Sequence, residues 1–490
     1  AVTSGGVAAG NAATTAAQTP AWGLGRVVAL EHPETWGGLI DLDPAEPDAD
    51  SHAAAIVAEL LCSDGEDQVA YRDGDRLVAR LERAERLPEP DPAALDPTAA
   101  YLVTGGRGAL GLRVATRLAE RGARHLVLLG RRPPTGQAAQ VIRKLAGSGV
   151  TVHLPDADVA DSPAMAALFD TTGTSWPAIR GVVHAAGVFT PVPVDAMTWR
   201  DFRDVLRAKV EGTLVLGAVT ATARLDFFVM FSSASSVWGS ALAGHYVAAN
   251  HFLDVMAHDR VRRGLPGLAV NWGWWSDSEM AAHHAGYFEA MGLSVLPDEE
   301  GLDAFDRLLG SSRVQVTVAP VDWARFRPVL SAKRDRPLLA DLDPEPVVAA
   351  GEGNAALLDR LAAAHPAARR RLAEELVQRE TAAVLGRAPD DPPERDLGFF
   401  TAGMDSITSV ELKTRLEAAL GVRLPATVAF EHPNVAALAG FLVHDVLEPL
   451  LPAEEPEAGD DATGELPADL AGLPEDELLR LLEAELDRPE

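Results

Sequence analysis

The feature that most constrains the fold is a series of short apolar segments that alternate with helical segments between residues 99 and 320. In chain order the apolar segments are YLVTGG, HLVLLGRR, VTVHLPDADV, GVVHAAGV, FFVMFSS, GLAVNWGWW and VQVTVAP. Strands that alternate with helices indicate parallel βαβ units with right-handed crossovers. Near-continuous apolar strands indicate a sheet that is buried on both faces. We therefore predict an α/β fold built around one parallel sheet.

The first of these strands leads through a glycine-rich turn into a helix, in the sequence YLVTGGRGALGLRVATRLAERG. Glycines let the backbone approach a pyrophosphate, and the amino end of a helix supplies N–H groups and a positive dipole end. The G-x-x-G-x-x-G spacing alone is weak evidence and also fits a plain turn, but here the strand and helix supply the context that nucleotide binding requires. The expected contacts are Thr104, Gly105, Gly106, Arg107, Gly108, Leu110 and Gly111.

Two arginines follow the second strand, at the point where sites for NAD usually carry an acid that binds the ribose diol. The forked guanidinium groups of Arg131 and Arg132 suit the 2′-phosphate of NADPH, and the alternative is a solvated basic pair. After the third strand, Asp158 either binds the adenine amine or belongs to a turn. We therefore predict NADPH as the cofactor. The remaining expected contacts follow the third and fourth strands: Val159, Ala185, Ala186 and Gly187.

The composition excludes several classes of function. A net charge of −29 would repel the phosphates of a nucleic acid, so we expect no nucleic-acid partner. No apolar run approaches the ~18 residues that a membrane helix needs, and the first residues do not resemble a signal peptide. The single cysteine, Cys62, rules out an internal disulfide and suits a reducing cytosol. We predict a cytoplasmic protein with no membrane segment and no metal site.

The amino-terminal part, residues 1–95, has no phosphate-binding loop and no obvious catalytic cluster. Within it, HAAAIVAELL predicts a helix, and QVAYRDGDRLVARLERA predicts two strands around an Asp-Gly turn. We interpret this part as a structural subdomain.

The carboxy-terminal part divides at changes in composition. A linker rich in proline and acids, residues 341–354, precedes a helical block at residues 355–447. Residues 448–467 are acidic and poor in apolar side chains, which predicts disorder. Residues 468–490 predict a short amphipathic helix, which either docks on a partner or frays in solvent.

Several motifs together resemble the ketoreductase domain of modular, type I polyketide synthases, a branch of the short-chain dehydrogenases. The motifs are LVTGGRGALG, HAAGV, AKVEGT, FSSASSVWGS, YVAAN and VNWG, and the resemblance extends from TPAWGLG to VAPVDW. It implies a Rossmann-like catalytic domain at residues 96–340. It also implies that residues 1–95 are the later part of a catalytically inert subdomain whose earlier part is missing, so we expect a piece of a larger polypeptide.

The resemblance implies a catalytic group of Lys209, Ser233, Tyr246 and Asn250. In this family the lysine and the asparagine exchange the places they hold in most short-chain dehydrogenases, so the asparagine follows the tyrosine by four residues. A tyrosine with a pKa of about 10 is a weak acid at neutral pH, so we expect a nearby ammonium to lower that pKa. Tyr246 would protonate the ketone oxygen and also contact the cofactor, and Ser233 would donate to the same oxygen. Lys209 would also hold the nicotinamide ribose, and Asn250 would orient the lysine or a water.

Short motifs imply the configuration of the product. The Leu-Asp-Asp motif of one type is absent after HAAGV, where this sequence has Phe-Thr-Pro. Trp238, eight residues before Tyr246, is the mark of the A type, which forms an L-configured β-hydroxyl, although a tryptophan here can simply be packing. Ala243 stands where the A-type subgroups usually have glutamine or histidine, so the α-substituent preference stays open.

The helical block resembles an acyl carrier protein through LGFFTAGMDSITSVELKTRLEAALGVRLPATVAFEHPNVAALAGFL. The resemblance implies a small four-helix domain in which Ser406 carries 4′-phosphopantetheine, whereas the alternative for a serine at a helix start is a simple N-cap. The implied partners are a phosphopantetheinyl transferase, the ketosynthase and acyltransferase of the synthase, and a downstream synthase polypeptide that binds the carboxy-terminal helix. We expect a homodimer through the whole module.

Together these features predict an NADPH-dependent 3-oxoacyl-[acyl carrier protein] reductase activity within a polyketide synthase. Two alternatives keep the fold but not the reduction: a redox-inactive domain that epimerises the α-carbon, and a degenerate reductase that serves as a scaffold for the carrier. A standalone sugar dehydrogenase would leave Ser406 unexplained.

Overall fold

The computed structural model describes residues 1–10, 12–62, 64–85, 95–276, 288–289, 291–332, 334–342, 364–387, 392–404, 406–422, 424–425 and 428–447. The predicted acidic segment, the predicted carboxy-terminal helix and most of the predicted linker lie outside these residues. The domain boundaries given above therefore stay predictions.

The amino-terminal subdomain contains a four-stranded sheet. Its elements are, in chain order, β1 (Val2–Ser4), α1 (Thr19–Glu31), β2 (Leu39–Leu42), α2 (Ala49–Leu61), β3 (Gln68–Arg72) and β4 (Asp75–Val78). The strand order is β1-β2-β3-β4, and only the last pair is antiparallel. Asp73 and Gly74 have positive φ angles of 51° and 84°, as the predicted hairpin turn requires.

A second sheet of seven parallel strands follows, with helices on both faces. Its elements are, in chain order, β5 (Ala100–Thr104), α3 (Ala109–Glu120), β6 (His125–Leu129), α4 (Gly136–Gly147), β7 (Thr151–His153), α5 (Ser162–Asp170), β8 (Ile179–His184), α6 (Trp199–Leu206), α7 (Gly212–Val219), β9 (Phe227–Ser233), α8 (Ser235–Trp238), α9 (Gly244–Arg262), β10 (Leu268–Trp272), α10 (Asp298–Leu309), β11 (Gln315–Val318) and α11 (Trp323–Ser331). The strand order is β11-β10-β9-β8-β5-β6-β7. The order reverses between β5 and β8, and ligands of open α/β sheets bind at the carboxyl ends of the strands around such a point.

The central strands are buried on both faces, as their apolar runs predict. Alternate residues of a strand point to opposite faces of the sheet. Tyr101 and Val103 of β5 belong to one buried cluster, together with residues of α3 and α10. Leu102 belongs to a different cluster, with residues of α5 and α9. The α/β prediction with a buried parallel sheet is therefore confirmed.

One turn of π-helix lies between α6 and α7. It covers Arg207–Glu211, and it is preceded by a helix start where the Thr198 and Asp201 side chains cap each other's backbone N–H groups. A π-helical turn widens the helix locally and frequently occurs at functional sites. Here its buried member is Lys209.

The two sheets are joined by the packing of α1 on α9. A Cβ atom added at Gly23 of α1 would lie 2.5 Å from the carbonyl oxygen of Val247 and 2.7 Å from the Cα of Ala248. Only a glycine allows this approach, so the two helix backbones are in direct contact. The amino-terminal subdomain therefore covers the helix that carries Tyr246 and Asn250.

The carboxy-terminal part is helical and has its own core. Its elements are α12 (Pro366–Val384), α13 (Ser406–Leu420), α14 (Val428–Glu431), α15 (Val435–Phe441) and a π-helical extension, Leu442–Leu447. Val377 of α12, Leu416 of α13 and Leu438 of α15 are fully buried in one cluster. This arrangement agrees with the predicted small helical domain. Across the described part of the chain, none of the helices combines the length and the apolar character that crossing a membrane requires.

Candidate active site

The glycine-rich turn connects β5 to the amino end of α3, as predicted. Gly105 has a φ of +66°, and a Cβ there would lie 3.0 Å from the backbone of Ala185 and Ala186, so the turn touches the loop after β8. A Cβ at Gly111 would lie 2.3 Å from the carbonyl oxygen of Gly105. Among the described residues, the only atom within 4 Å of a Cβ at Gly108 is the Gly105 carbonyl oxygen, at 3.3 Å, which leaves room at the helix end for a phosphate.

Replacing Gly111 with alanine is expected to weaken NADPH binding by at least roughly tenfold, because the added methyl group would push the turn away from the helix. Fluorescence titration with NADPH measures the change. Gly217→Ala is the matched control, since Gly217 lies in α7 and a Cβ there would meet no atom of the described part of the chain within 4 Å. An unchanged NADPH affinity in Gly111→Ala would contradict the prediction.

Arg107 organises this turn through its side chain. The guanidinium donates to the carbonyl oxygens of Leu128 at 3.2 Å, Pro155 at 2.9 Å and Arg132 at 2.7 Å, and it also pairs with Asp156. It therefore ties the turn to the ends of β6 and β7. Because the protein already binds the Arg107 guanidinium, we expect the backbone of Arg107 or the neighbouring arginines to contact the cofactor.

Arg131 and Arg132 follow β6 and are exposed at the same edge of the sheet. The side chain of Asp158 lies near them and accepts from the amide of Ala160 at 3.0 Å and from Arg207 Nε at 3.1 Å. Burial would raise the pKa of Asp158, but the Ala160 amide and the Arg207 guanidinium together hold that pKa below its ordinary value. Asp158 is thus an ionised acceptor at the end of β7, and Val159 beside it is buried.

The structure brings Lys209 and Tyr246 together although 36 residues separate them in the sequence. Lys209 Nζ lies 5.6 Å from the centre of the Tyr246 ring and donates to the carbonyl oxygen of Phe231 at 2.8 Å. The stem of the lysine passes under Gly187, where a Cβ would lie 2.9 Å from its Cε atom. The π-helical turn therefore directs the ammonium into the cleft at the carboxyl ends of β8 and β9.

Ser233 and Asn250 complete this group from two further elements. Ser233 is the last residue of β9, and its hydroxyl acts on the Tyr246 phenol by lowering its pKa. Asn250 lies one turn after Tyr246 on α9, and its Nδ2 donates to the Tyr246 carbonyl oxygen at 2.8 Å. The four predicted residues thus share one cleft.

The electrostatics of the cleft differ from the sequence expectation in one respect. Burial raises the pKa of Tyr246 above its ordinary value, against the hydrogen bonds of Asn250 and Ser233, which lower it. Burial also lowers the pKa of Lys209 to about 8, and the charge of Asp254 acts against this shift. We expected the Lys209 ammonium to have the largest effect on the pKa of the Tyr246 phenol. In this cleft the loss of water around the two groups has the larger effect on the pKa of each.

His184, which the sequence analysis did not single out, lies between the nucleotide turn and the lysine. Its Nδ1 shares a hydrogen bond of 2.7 Å with Thr104 Oγ1, and Thr104 Oγ1 also accepts from the amide of Ala186 at 3.3 Å. Burial, together with the charge of Lys209, lowers the pKa of His184 to about 3, so the imidazole is neutral. The signal for this residue was its place in HAAGV, directly before the loop that contains Gly187.

The two residues expected to control stereochemistry are both buried. Trp238 is 7% exposed, and its ring packs edge-on against Trp323 at 5.9 Å and Phe326 at 5.5 Å. Ala243 is buried beside Val27 at the start of α9. Phe189, whose ring centre lies 4.9 Å from that of Tyr246, is a cleft residue that sequence reasoning missed.

Ser406 is the first residue of α13, at the place where the carrier resemblance requires the modified serine. The loop before it is fixed by Phe399 and Met404, which are buried in the helical core. Asp405 lies outside the described residues. A start of α13 at Ser406 agrees with both the modified serine and the simple helix cap.

Three parts of the chain match protein families. Residues 99–277 match the family described as the KR domain. Residues 375–442 match a phosphopantetheine attachment site. Residues 1–81 match the Rossmann fold domain of the polyketide synthase extender module SpnB.

Curated relatives match nearly the whole chain. The pikromycin polyketide synthase component PikAIII of Streptomyces venezuelae is 38% identical over 496 residues, which is 97% of this chain and 31% of the relative. Erythronolide synthase EryA3 of Saccharopolyspora erythraea is 38% identical over 458 residues, which is 92% of this chain and 14% of the relative. The chain therefore spans less than a third of the length of either relative.

Solved structures match more than two thirds of the chain. An A-type ketoreductase from a modular polyketide synthase is 38% identical with a TM-score of 0.65, and the match covers 70% of this chain and 72% of that one. A C2-type ketoreductase from a modular polyketide synthase is 34% identical with a TM-score of 0.64, and covers 69% and 74%. Since the A-type and the C2-type structures have nearly equal TM-scores, these similarities leave the configuration of the product open.

Proposed function

Because this chain belongs to the ketoreductases of modular polyketide synthases, we propose that it uses NADPH to reduce the β-ketone of an acyl thioester carried on a 4′-phosphopantetheine arm. The observation that carries this proposal is the meeting of Lys209, Ser233 and Tyr246 in one cleft next to the glycine-rich turn. A scaffold would have no need of this combination.

The residues around the turn fit NADPH. Room for a pyrophosphate at Gly108 lies beside the amino end of α3, whose dipole favours negative charge. Arg131 and Arg132 are exposed where the 2′-phosphate would lie, and Asp158 is an acceptor for the adenine amine. When bound, NADPH supplies the hydride for the carbonyl carbon.

The side chains of the cleft stabilise and neutralise the negative charge that develops on the ketone oxygen. Tyr246 donates its phenolic proton to this oxygen, and Ser233 donates a hydrogen bond to it. Lys209, held at the Phe231 carbonyl, keeps a positive charge beside the phenol and stabilises the phenolate that remains. Asn250 orients Tyr246 through its bond to the tyrosine backbone.

The carrier part supplies the substrate. We assign the attachment of the arm to Ser406, and support for this comes from the attachment-site match and from the start of α13 at this residue. A tether raises the local concentration of the acyl group at the cleft, which explains why reductase and carrier belong to one chain. The required partners are a phosphopantetheinyl transferase and the ketosynthase and acyltransferase of the synthase.

The proposed product is the L-configured β-hydroxyacyl thioester. Support for this comes from Trp238, eight residues before Tyr246, and from the absence of Leu-Asp-Asp after HAAGV. Contacts with Trp323 and Phe326 hold the indole of Trp238 in one position. A homodimer through the whole module and docking of residues 468–490 on a downstream polypeptide are further parts of the proposal, and a cytosolic location suits the free, exposed Cys62.

Intact mass spectrometry of the carrier during NADPH turnover tests the reaction and the attachment site together. We expect the acyl group on Ser406 to gain the mass of two hydrogen atoms, while NADPH is consumed in equal amount. An epimerase would exchange the α-hydrogen for solvent deuterium without consuming NADPH. A scaffold would not bind NADPH in a titration.

The double substitution Arg131→Ala and Arg132→Ala is expected to weaken NADPH binding by roughly ten- to hundredfold, the loss of one charge-assisted contact to the 2′-phosphate. NADH binding should change little, because NADH has no such phosphate. Titrations with both cofactors measure the difference. Arg143→Ala, an exposed arginine on α4, is the control. An equal loss for NADH and NADPH would contradict the assignment.

A further inference from the structure

The helix that carries Tyr246 also carries a buried acid. Asp254 lies about two turns after Tyr246 on α9 and is 1% exposed. Its Oδ2 accepts from Ser236 Oγ at 2.6 Å, and its Oδ1 accepts from Asn271 Nδ2 at 2.8 Å. A buried carboxylate is costly unless cations and hydrogen bonds compensate for the lost water. The mechanism above gives this acid no role.

Two buried cations feel the charge of this carboxylate. One is Arg26 of α1, which is 8% exposed and donates to the carbonyl oxygen of Ser236, to His251 Nδ1 at 3.2 Å and to Gln68 Oε1 at 2.8 Å. The other is Lys209, which is 4% exposed. Burial lowers the pKa of Arg26 to about 10 and that of Lys209 to about 8, and the charge of Asp254 raises both.

Two further titratable groups lie near Arg26: Asp67, whose charge also raises the pKa of Arg26, and His251. Burial holds the pKa of His251 well below its ordinary value, and the charges of Arg26 and His258 add to this effect. Burial raises the pKa of Asp254 to about 6, against the hydrogen bonds of Ser232, Ser236 and Asn271. The carboxylate is therefore ionised at neutral pH and loses its charge as the pH falls through about 6.

Hydrogen bonds connect the carboxylate to the strand end that carries Ser233. Asn271 Nδ2, which donates to Asp254, also lies 3.0 Å from Ser232 Oγ. Ser232 Oγ in turn donates to the carbonyl oxygen of Asn250 at 3.2 Å. Lys209 Nζ bonds to the carbonyl oxygen of the preceding residue, Phe231, at 2.8 Å.

We propose that Asp254 is a positioning residue for the reduction: its buried carboxylate is the counter-charge of Lys209, and through Ser236 and Asn271 it fixes the end of β9 that presents Ser233. This role rests on the proposed function, because it acts through two of the residues assigned to the reaction. It also gives the amino-terminal subdomain a part in the chemistry, since Arg26 balances the same carboxylate.

Asp254→Asn removes the charge and keeps the size of the side chain. Burial then acts on Lys209 unopposed, and its pKa falls. The rate of reduction, measured against pH with a soluble β-ketoacyl thioester, should therefore decline at a pH about one unit lower than in the unsubstituted protein. A lowered Tm with an unmoved alkaline limb would overturn the proposal, because it would leave Asp254 with a structural role alone.

Arg26→Gln is the matched control. It removes the other cation of the same buried network, so its Tm should fall, but it leaves the charge of Asp254 in place. The alkaline limb of its pH profile should not move to lower pH. An equal downward movement in both variants would show that loosening of the network, and not the counter-charge, is the cause, and would also overturn the proposal.

Two further measurements keep the test decisive. If Asp254→Asn does not fold, Ser236→Ala removes one donor to the carboxylate and raises the pKa of Asp254. The step near pH 6 that loss of this charge imposes on the NMR signal of Lys209 should therefore move to higher pH, and an unmoved or absent step counts against the proposal. Titration of selectively labelled Lys209 by NMR reads its pKa without turnover. A protein that consumes no NADPH would refute the proposed function, whereas an unchanged Lys209 pKa in Asp254→Asn would refute the counter-charge.

Discussion

Tyr246→Phe is expected to slow the reduction by about 10²- to 10⁴-fold, because phenylalanine has no proton to give to the developing alkoxide. The substituted ring keeps the contact with Phe189, whose centre lies 4.9 Å away, so the cleft should hold its shape. NADPH affinity should stay close to that of the unsubstituted protein. Single-turnover consumption of NADPH with a soluble β-ketoacyl thioester, together with an NADPH titration, separates the two effects.

Tyr71→Phe is the control for this substitution. Tyr71 lies on β3, away from the cleft, and its hydroxyl donates to Glu59 Oε2 at 2.9 Å. Its loss removes one hydrogen bond and should leave the rate unchanged. A Tyr246→Phe protein that still reduced the thioester at nearly the original rate would refute Tyr246 as the proton donor and require another acid in the cleft.

Ser406→Ala is expected to abolish the attachment of 4′-phosphopantetheine. The hydroxyl oxygen forms the phosphodiester bond, and alanine offers no atom in its place. Intact mass spectrometry after treatment with a phosphopantetheinyl transferase and coenzyme A measures the loss directly. Reduction of a soluble thioester should persist in this variant, because the cleft does not depend on the arm for its chemistry.

Thr401→Ala is the control for the carrier. Thr401 is exposed in the loop before α13, so it offers a hydroxyl five residues before Ser406 in the sequence. It should load as fully as the unsubstituted protein. Loading of Ser406→Ala, or loss of loading in Thr401→Ala, would move the attachment site away from Ser406.

The fold followed from the sequence because its signals are local. Alternating apolar strands and helices predicted the parallel sheet, and the Asp73-Gly74 turn predicted the hairpin, each from a few neighbouring residues. The glycine spacing likewise predicted the turn at β5. The π-helical turn was not predicted, since no residue type in Arg207–Glu211 marks it.

The missed parts of the cleft depend on contacts between distant segments. Arg26 and Asp254 come together only because α1 packs on α9, and nothing in either segment alone indicates the pair. Periodicity could have drawn attention to Asp254, which shares a helix face with Tyr246 and Asn250. The phenol's electrostatics were mispredicted because the sequence showed the cation but not the depth of burial.

The contact of Gly23 with Val247 and Ala248 sets a rule for grafting the KR domain into another polypeptide. A splice at residue 99, where the KR domain match begins, would remove α1 from its contact with α9 and expose the backbone of Val247. It would also discard Arg26, and with it the cation that compensates Asp254 on that side. A chimaera that retains the segment from β1 onward keeps α1 and Arg26 together with the seven-stranded sheet.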